Sequence, residues 1–291
     1  MTNPWLKRIG ALALAAVVSC GGGTAALAAT DGDLAAALSR APALGRPLVI
    51  LATDPGQGAA DRAAARFLDS KPVKALADRT CLLLVDISVS RNRAAATRFH
   101  LGETPLLICL TPRGVIASRD EKVATADIVL RRVQEVLEQA PALDARLAAL
   151  EAAVAANPED TAAQFELADF LIAHHNAVEA IPRLAALAHS PARTPDLRLR
   201  AWVDLVRAHF WIAEPEKGRF EALDMMATLG PAMPEARAAG GFVLGSQDAG
   251  TKRMARAREE LESAVAAARD STYGKQAAEA LAHLPAPTPP R

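Results

Sequence analysis

The chain has 291 residues, 51% of them hydrophobic but only 4% aromatic, and alanine supplies most of the apolar content. That length admits one large domain or two ordinary ones, and the alanine favours helix. Lys plus Arg and Asp plus Glu each number 33, so no basic excess exists to neutralise a phosphate backbone, and nucleic-acid binding has no electrostatic support.

Residues 1–28 read as an export signal. Lys7 and Arg8 form a positive start, and Ile9 to Val18 is an apolar run too short to span a bilayer as a mature helix. Two cleavage readings fit. Ala26-Leu27-Ala28 suits a small-residue signal-peptidase site, giving a mature start at Ala29. Val17-Val18-Ser19-Cys20 resembles a bacterial lipobox, in which the leader is 1–19 and Cys20 is the lipidation candidate. Either reading predicts an exported protein of the bacterial periplasm or cell envelope, touching the membrane only through a lipid on Cys20. Without Lys7 and Arg8 the mature chain has 31 basic and 33 acidic residues, a net charge of −2.

Pro47 to Ala52 reads as a buried strand between a proline and a Gly-rich turn. Ala59, Ala63, Phe67 and Leu68 follow at helical spacing until Pro72, and Val73 and Leu76 carry a further turn. Cys81 to Val85 is a continuous apolar run, as in a parallel strand covered on both faces. Ser90 is an N-cap for a short helix through Phe99. Thr104-Pro105 opens a strand over Leu106 to Leu110, Thr111-Pro112-Arg113-Gly114 is a type I turn, and Val115 to Ser118 returns antiparallel. Ala124 to Ala140 then has the apolar spacing of a helix.

This order, with Phe99-His100-Leu101-Gly102-Glu103-Thr104-Pro105 ahead of an apolar strand and Pro112-Arg113-Gly114 after it, resembles a thioredoxin-like α/β domain over residues 34–140. The resemblance implies a cis bond at Thr104-Pro105 and a C-x-x-C at about Gln57 to Ala60. No cysteine stands there, Gly56 occupies the place of the family's tryptophan, and Ile50 or Leu51 that of its buried aspartate. The remaining cysteines, Cys81 and Cys109, fall in strands that the thioredoxin order separates by a third, about 9–10 Å apart. That is beyond disulfide reach, so both read as buried free thiols. Glutathione transferases also join such a domain to helices, but Ala117-Ser118-Arg119-Asp120-Glu121 does not fit their thiol-binding segment. The fold without its redox centre points to binding: the edge near Gln57, His100, Thr104 and Pro105 is a candidate for pairing with an extended peptide.

After Pro141 no β-rich run recurs. Eight helical segments run from Arg146 to Leu284, joined by short Pro-, Gly-, Asn- or Asp-bearing links, with a Pro-rich disordered tail over 285–291. From Asn157-Pro158-Glu159-Asp160, the positions Leu167-Ala168, Leu171, Ala180, Leu184 and Pro191 resemble a tetratricopeptide repeat, so residues 141–284 are expected to form an all-α helical-repeat domain. Phe165, Asp169 and Ile172 are candidate groove residues, with packing against a neighbouring helix as their alternative. Trp202, Phe210 and Trp211 read as a packed helix, and His174-His175 as a polar turn rather than metal ligands.

The combination resembles bacterial thioredoxin-like co-chaperones with a C-terminal tetratricopeptide region. The expectation is an exported, non-catalytic protein- or peptide-binding adaptor or holdase-like protein, with no cofactor, no metal and no nucleic-acid partner. Its alternative is a divergent thiol-disulfide oxidoreductase of the envelope.

Overall fold

The structure, a computed structural model, describes residues 37, 41, 43–54, 56, 58–89, 92 and 104–285. Gln57, His100 and Cys20, the leader and the expected Ser90 helix (save Asn92) lie outside the described residues.

Four strands form one mixed sheet: β1 (Leu48–Thr53), β2 (Cys81–Asp86), β3 (Leu106–Leu110) and β4 (Ile116–Glu121), in the order β2-β1-β3-β4. β1 is parallel to β2 and antiparallel to β3, and β3 is antiparallel to β4. Between β1 and β2 lie α1 (Ala59–Ala64), a 3-10 turn at Phe67–Asp69, and α2 (Lys71–Lys74). Buried Asp61 accepts the Asp54 amide at 2.8 Å and so fixes the turn out of β1. Every residue of β1 and β3 is buried, because alternate side chains feed two separate cores. Leu48, Ile50, Leu106 and Ile108 pack on one face. Val49, Leu51, Leu107 and Val133 pack on the other. β4 is longer than expected, running on through Arg119, Asp120 and Glu121, charges that suit an edge strand.

The cysteines follow the same alternation. Cys81 pairs in register with Leu48 and Cys109 with Val49, so their side chains enter opposite cores, and both are free and buried. The Thr104–Pro105 bond is cis.

One expectation is corrected at Pro141. Instead of two helices broken there, a single 31-residue helix, α3, runs from Ala126 to Ala156 with Pro141 inside it. A proline removes one intrahelical hydrogen bond, but this one lies on an exposed face. On either side the helix is anchored in a different core: Val129, Val133 and Val136 under the sheet, Leu147 and Leu150 among the helices.

Seven helices follow: α4 (Thr161–Ala173), α5 (Ala177–Ala188), α6 (Pro195–Trp211), α7 (Pro215–Leu229), α8 (Pro234–Gly250), α9 (Met254–Ala268) and α10 (Thr272–His283). Asp160 caps α4 by accepting the amides of Ala162 and Ala163 at 2.9 and 3.2 Å. Proline opens α6, α7 and α8, where its missing N–H has no intrahelical partner to lose. Each helix packs on the next, and α4 on α6, α6 on α8 and α8 on α10, so the even-numbered helices share a layer. Leu167, Ala168, Leu171, Ala180 and Leu184 are all buried where α4 and α5 pack together. α8 tolerates its glycines because α9 presses against it: a Cβ on Gly241 would meet the Glu260 carbonyl at 2.8 Å, and one on Gly245 would meet Leu261 at 2.6 Å.

Candidate functional site

The expected peptide edge is described only in part. Pro105 is buried, and its carbonyl accepts the Val123 amide at 3.1 Å, tying the start of β3 to the end of β4. The Thr104 hydroxyl is buried with no hydrogen-bond partner among the described residues. Where a C-x-x-C would end stand Ala59 and Ala60, both exposed. Burial pushes the Cys109 thiol up to about 12, with the Ser118 hydrogen bond opposing, and burial likewise raises Cys81. Neither is a ready thiolate.

On α4, Phe165 is buried rather than lining an open groove. The guanidinium of Arg200, from α6, sits 4.2 Å from its ring centroid and pairs with Asp169 at 3.3 Å. Ile172 is half-buried against the helical core. For Phe165 and Ile172 the packing alternative describes what is found, while exposed Asp169 joins a charged row that continues along α6.

That row was missed in the sequence and has a simple signature. Arg200, Asp204, Arg207 and Trp211 recur at i, i+4, i+7 and i+11, which places them on one helical face. Trp202 lies nine residues before Trp211, about half a turn out of phase at 3.6 residues per turn. Trp202 is accordingly 1% exposed in the core, as expected, whereas Trp211 is 39% exposed, which corrects the packed reading for Trp211.

The row borders a cleft of about 350 Å³ between α6 and α8. Phe210, Trp211, Phe242 and Val243 give its apolar lining, and Arg207, Ser246 and Gln247 its polar one. Asp204 lies 3.8 Å from Arg207. Burial pushes its carboxyl up to about 6, with Arg207 and Arg200 pulling down and Asp169 pushing up. Burial also raises the Tyr273 phenol of α10.

The sheet and the helices meet in a polar junction. Thr111 donates to Asp144, the Arg113 amide to the same carboxylate at 3.3 Å, and the Arg113 side chain pairs with Glu151. From the α4–α5 turn, Asn176 donates to the Gly114 carbonyl at 3.2 Å, and His174 Nδ1 to the Ile116 carbonyl at 2.9 Å, which assigns that ring nitrogen its proton. The turn expected at His174-His175 is present, and its first histidine holds β4.

A second titratable cluster joins α5 to α7. His189 Nε2 lies 3.0 Å from Glu221 and Nδ1 3.6 Å from Asp224, and Trp202 Nε1 donates to Glu221 at 3.2 Å. The three groups could reach one ion. The two ring nitrogens of His189 address different carboxylates, however, which suits a bridging imidazole better than a single-nitrogen ligand.

No protein-family model matches this chain, and no curated protein matches it.

Proposed function

We propose that this is a non-catalytic binding protein of the bacterial cell envelope, an exported adaptor or holdase that joins a thioredoxin-like domain without its redox centre to tetratricopeptide-like helices. The observation that carries the reading is the cleft between α6 and α8, where an exposed tryptophan and an arginine flank an apolar lining. Aromatic and arginine anchors of this kind dominate protein-binding surfaces. The burial of both thiols supports a role other than thiol exchange. The topology β2-β1-β3-β4, with the cis proline before β3, is what the thioredoxin resemblance implies.

Light scattering of the insulin B chain released by dithiothreitol tests the reading. An equimolar amount of this protein should suppress aggregation without accelerating reduction. Faster reduction that disappears in Cys109→Ser or Cys81→Ser would transfer the case to an oxidoreductase. Unchanged aggregation would remove the holdase reading.

A further inference from the structure

The cleft between α6 and α8 has one formal charge in its lining, the guanidinium of Arg207. The remaining polar groups are the Ser246 hydroxyl and the Gln247 amide, both able to donate to an oxygen. The rings of Phe210, Trp211 and Phe242 share the lining, Trp211 one turn from Arg207 on α6 and Phe242 one turn from Ser246 on α8. We propose that this cleft holds an internal segment of a partner polypeptide in which an acidic side chain stands next to an aromatic or aliphatic one. The inference rests on the protein-binding reading above and gives that site its ligand chemistry.

Three observations carry it. Charge complementarity asks for an anion, because the lining holds a cation, two side chains able to donate, and no carboxylate. The volume, about 350 Å³, lies at the small end of ligand sites and suits two adjoining side chains better than a large cofactor. The guanidinium is also poorly spent within the molecule, since its ion pair with Asp204 is long, at 3.8 Å. A partner carboxylate could instead engage the fork in a bidentate pair.

Asp204 competes for the same guanidinium. Its surroundings comprise Arg200 and Arg207 on α6 and Asp169 on α4, and Tyr273 of α10 feels Asp204, Arg207, Arg200 and Glu235 of α8 together. When Asp204 takes up a proton the competition ends, while a partner glutamate, ordinarily titrating near 4.3, stays ionised. Binding should therefore tighten as pH falls through about 6.

The probe is a capped hexapeptide, acetyl-Gly-Ser-Glu-Phe-Ser-Gly-amide, titrated against the mature protein with Trp211 emission as the readout. Trp202 is buried and hydrogen-bonded, so it contributes a constant background. Replacing Glu by Gln in the peptide, or Arg207→Met in the protein, should weaken binding about tenfold or more, the loss expected for a charge-assisted hydrogen bond. Ser246→Asp, at an exposed position, should do the same by repulsion. Wild-type affinity should rise about threefold or more from pH 8 to pH 5.5, and Asp204→Asn should flatten that dependence. Equal affinity for the Glu and Gln peptides, or no binding of either, would overturn the proposal. If the insulin B chain is still kept soluble in that case, the binding reading survives and only this ligand assignment falls. If aggregation also proceeds unchecked, both fall.

Discussion

The sheet and the helical layers solve the same packing problem with different materials. β1 and β3 are buried along their whole length and built almost entirely of Leu, Ile, Val and Ala. A strand sealed on both faces cannot hold a charge without a partner, so the sheet's charged groups sit at its ends and on the edge strand β4, and the ionisable groups inside it are neutral thiols. The helices combine large core side chains with small residues where α8 meets α9, and they enclose charge. Asp248, 2% exposed, faces Arg219 at 3.5 Å, Arg256 at 3.4 Å and Arg253 at 3.8 Å. Asp204 and Glu260 are both raised by burial. The sheet thus keeps its charges at the margins, whereas the helical layer containing α6 and α8 encloses carboxylates, with Asp204 next to Arg207 of the cleft.

If the two regions share one cooperative structure, a cavity in either should lower a single transition. Trp202→Ala empties the centre of the helical core and leaves Glu221 without its indole donor, which should cost about 3–5 kcal/mol. Ile108→Ala in the sheet should cost about 2–5 kcal/mol. Because α3 belongs to both cores, calorimetry should show one endotherm moving down in both variants. Two separable endotherms would break the link that α3 makes. Asp248→Ala probes the charged side of the comparison. It strands Arg219, 18% exposed, between α7 and α8 with Glu260 as its remaining counter-charge among the described residues, and should cost about 3 kcal/mol in chemical denaturation. A cost below about 1 kcal/mol would mean that the enclosed charges are inert.

How much of this could be read from the chain differs between the regions for the same physical reason. Leu48 to Thr53 and Leu106 to Leu110 announce themselves because a doubly buried strand is apolar without interruption. The capping aspartate at 160 and the prolines opening α6 to α8 likewise mark helix starts locally. Continuity through Pro141 was not legible, since the stripes before and after it serve different cores and look like two helices. Phe165 could not be assigned to core or groove without Arg200, 35 positions later, lying over it. The cleft joins α6 to α8, and no local pattern specifies that pairing. What the sequence did contain was the stripe Arg200, Asp204, Arg207, Trp211, legible once helical phase is followed separately for each tryptophan.

A smaller effect comes from Asp204 itself, and its sign depends on pH. Its carboxyl titrates at about 6 in the fold against an ordinary value of 3.8. The folded state therefore holds the proton more tightly than the unfolded chain does. The resulting stabilisation is complete below about pH 4 and is lost as pH rises through about 6. Asparagine mimics the protonated form at every pH. Asp204→Asn should then stabilise the protein by about 1–3 kcal/mol at pH 8 and by almost nothing at pH 4, measured as paired urea midpoints. The side chain is 20% exposed, which favours the lower part of that range. An equal effect at both pH values would show that burial does not set this group's titration.

The weakest test falls on the seam between the two regions. Thr111 is buried at the turn between β3 and β4, and its hydroxyl both donates to Asp144 on α3 and accepts the Val115 amide at 3.1 Å. Thr111→Val keeps the shape and removes both bonds, so it should cost about 1–2 kcal/mol. The loss should be local in a specific way. The Val115 amide should exchange faster, while amides in the middle of β1 keep their protection, because Asn176 and His174 still hold Gly114 and Ile116 from the helical side. If protection collapses across β3 and β4 together, the hydroxyl alone is pinning the hairpin to α3. If the Val115 amide does not change, the turn is held by α4 and α5, and the sheet is docked chiefly from the helical side.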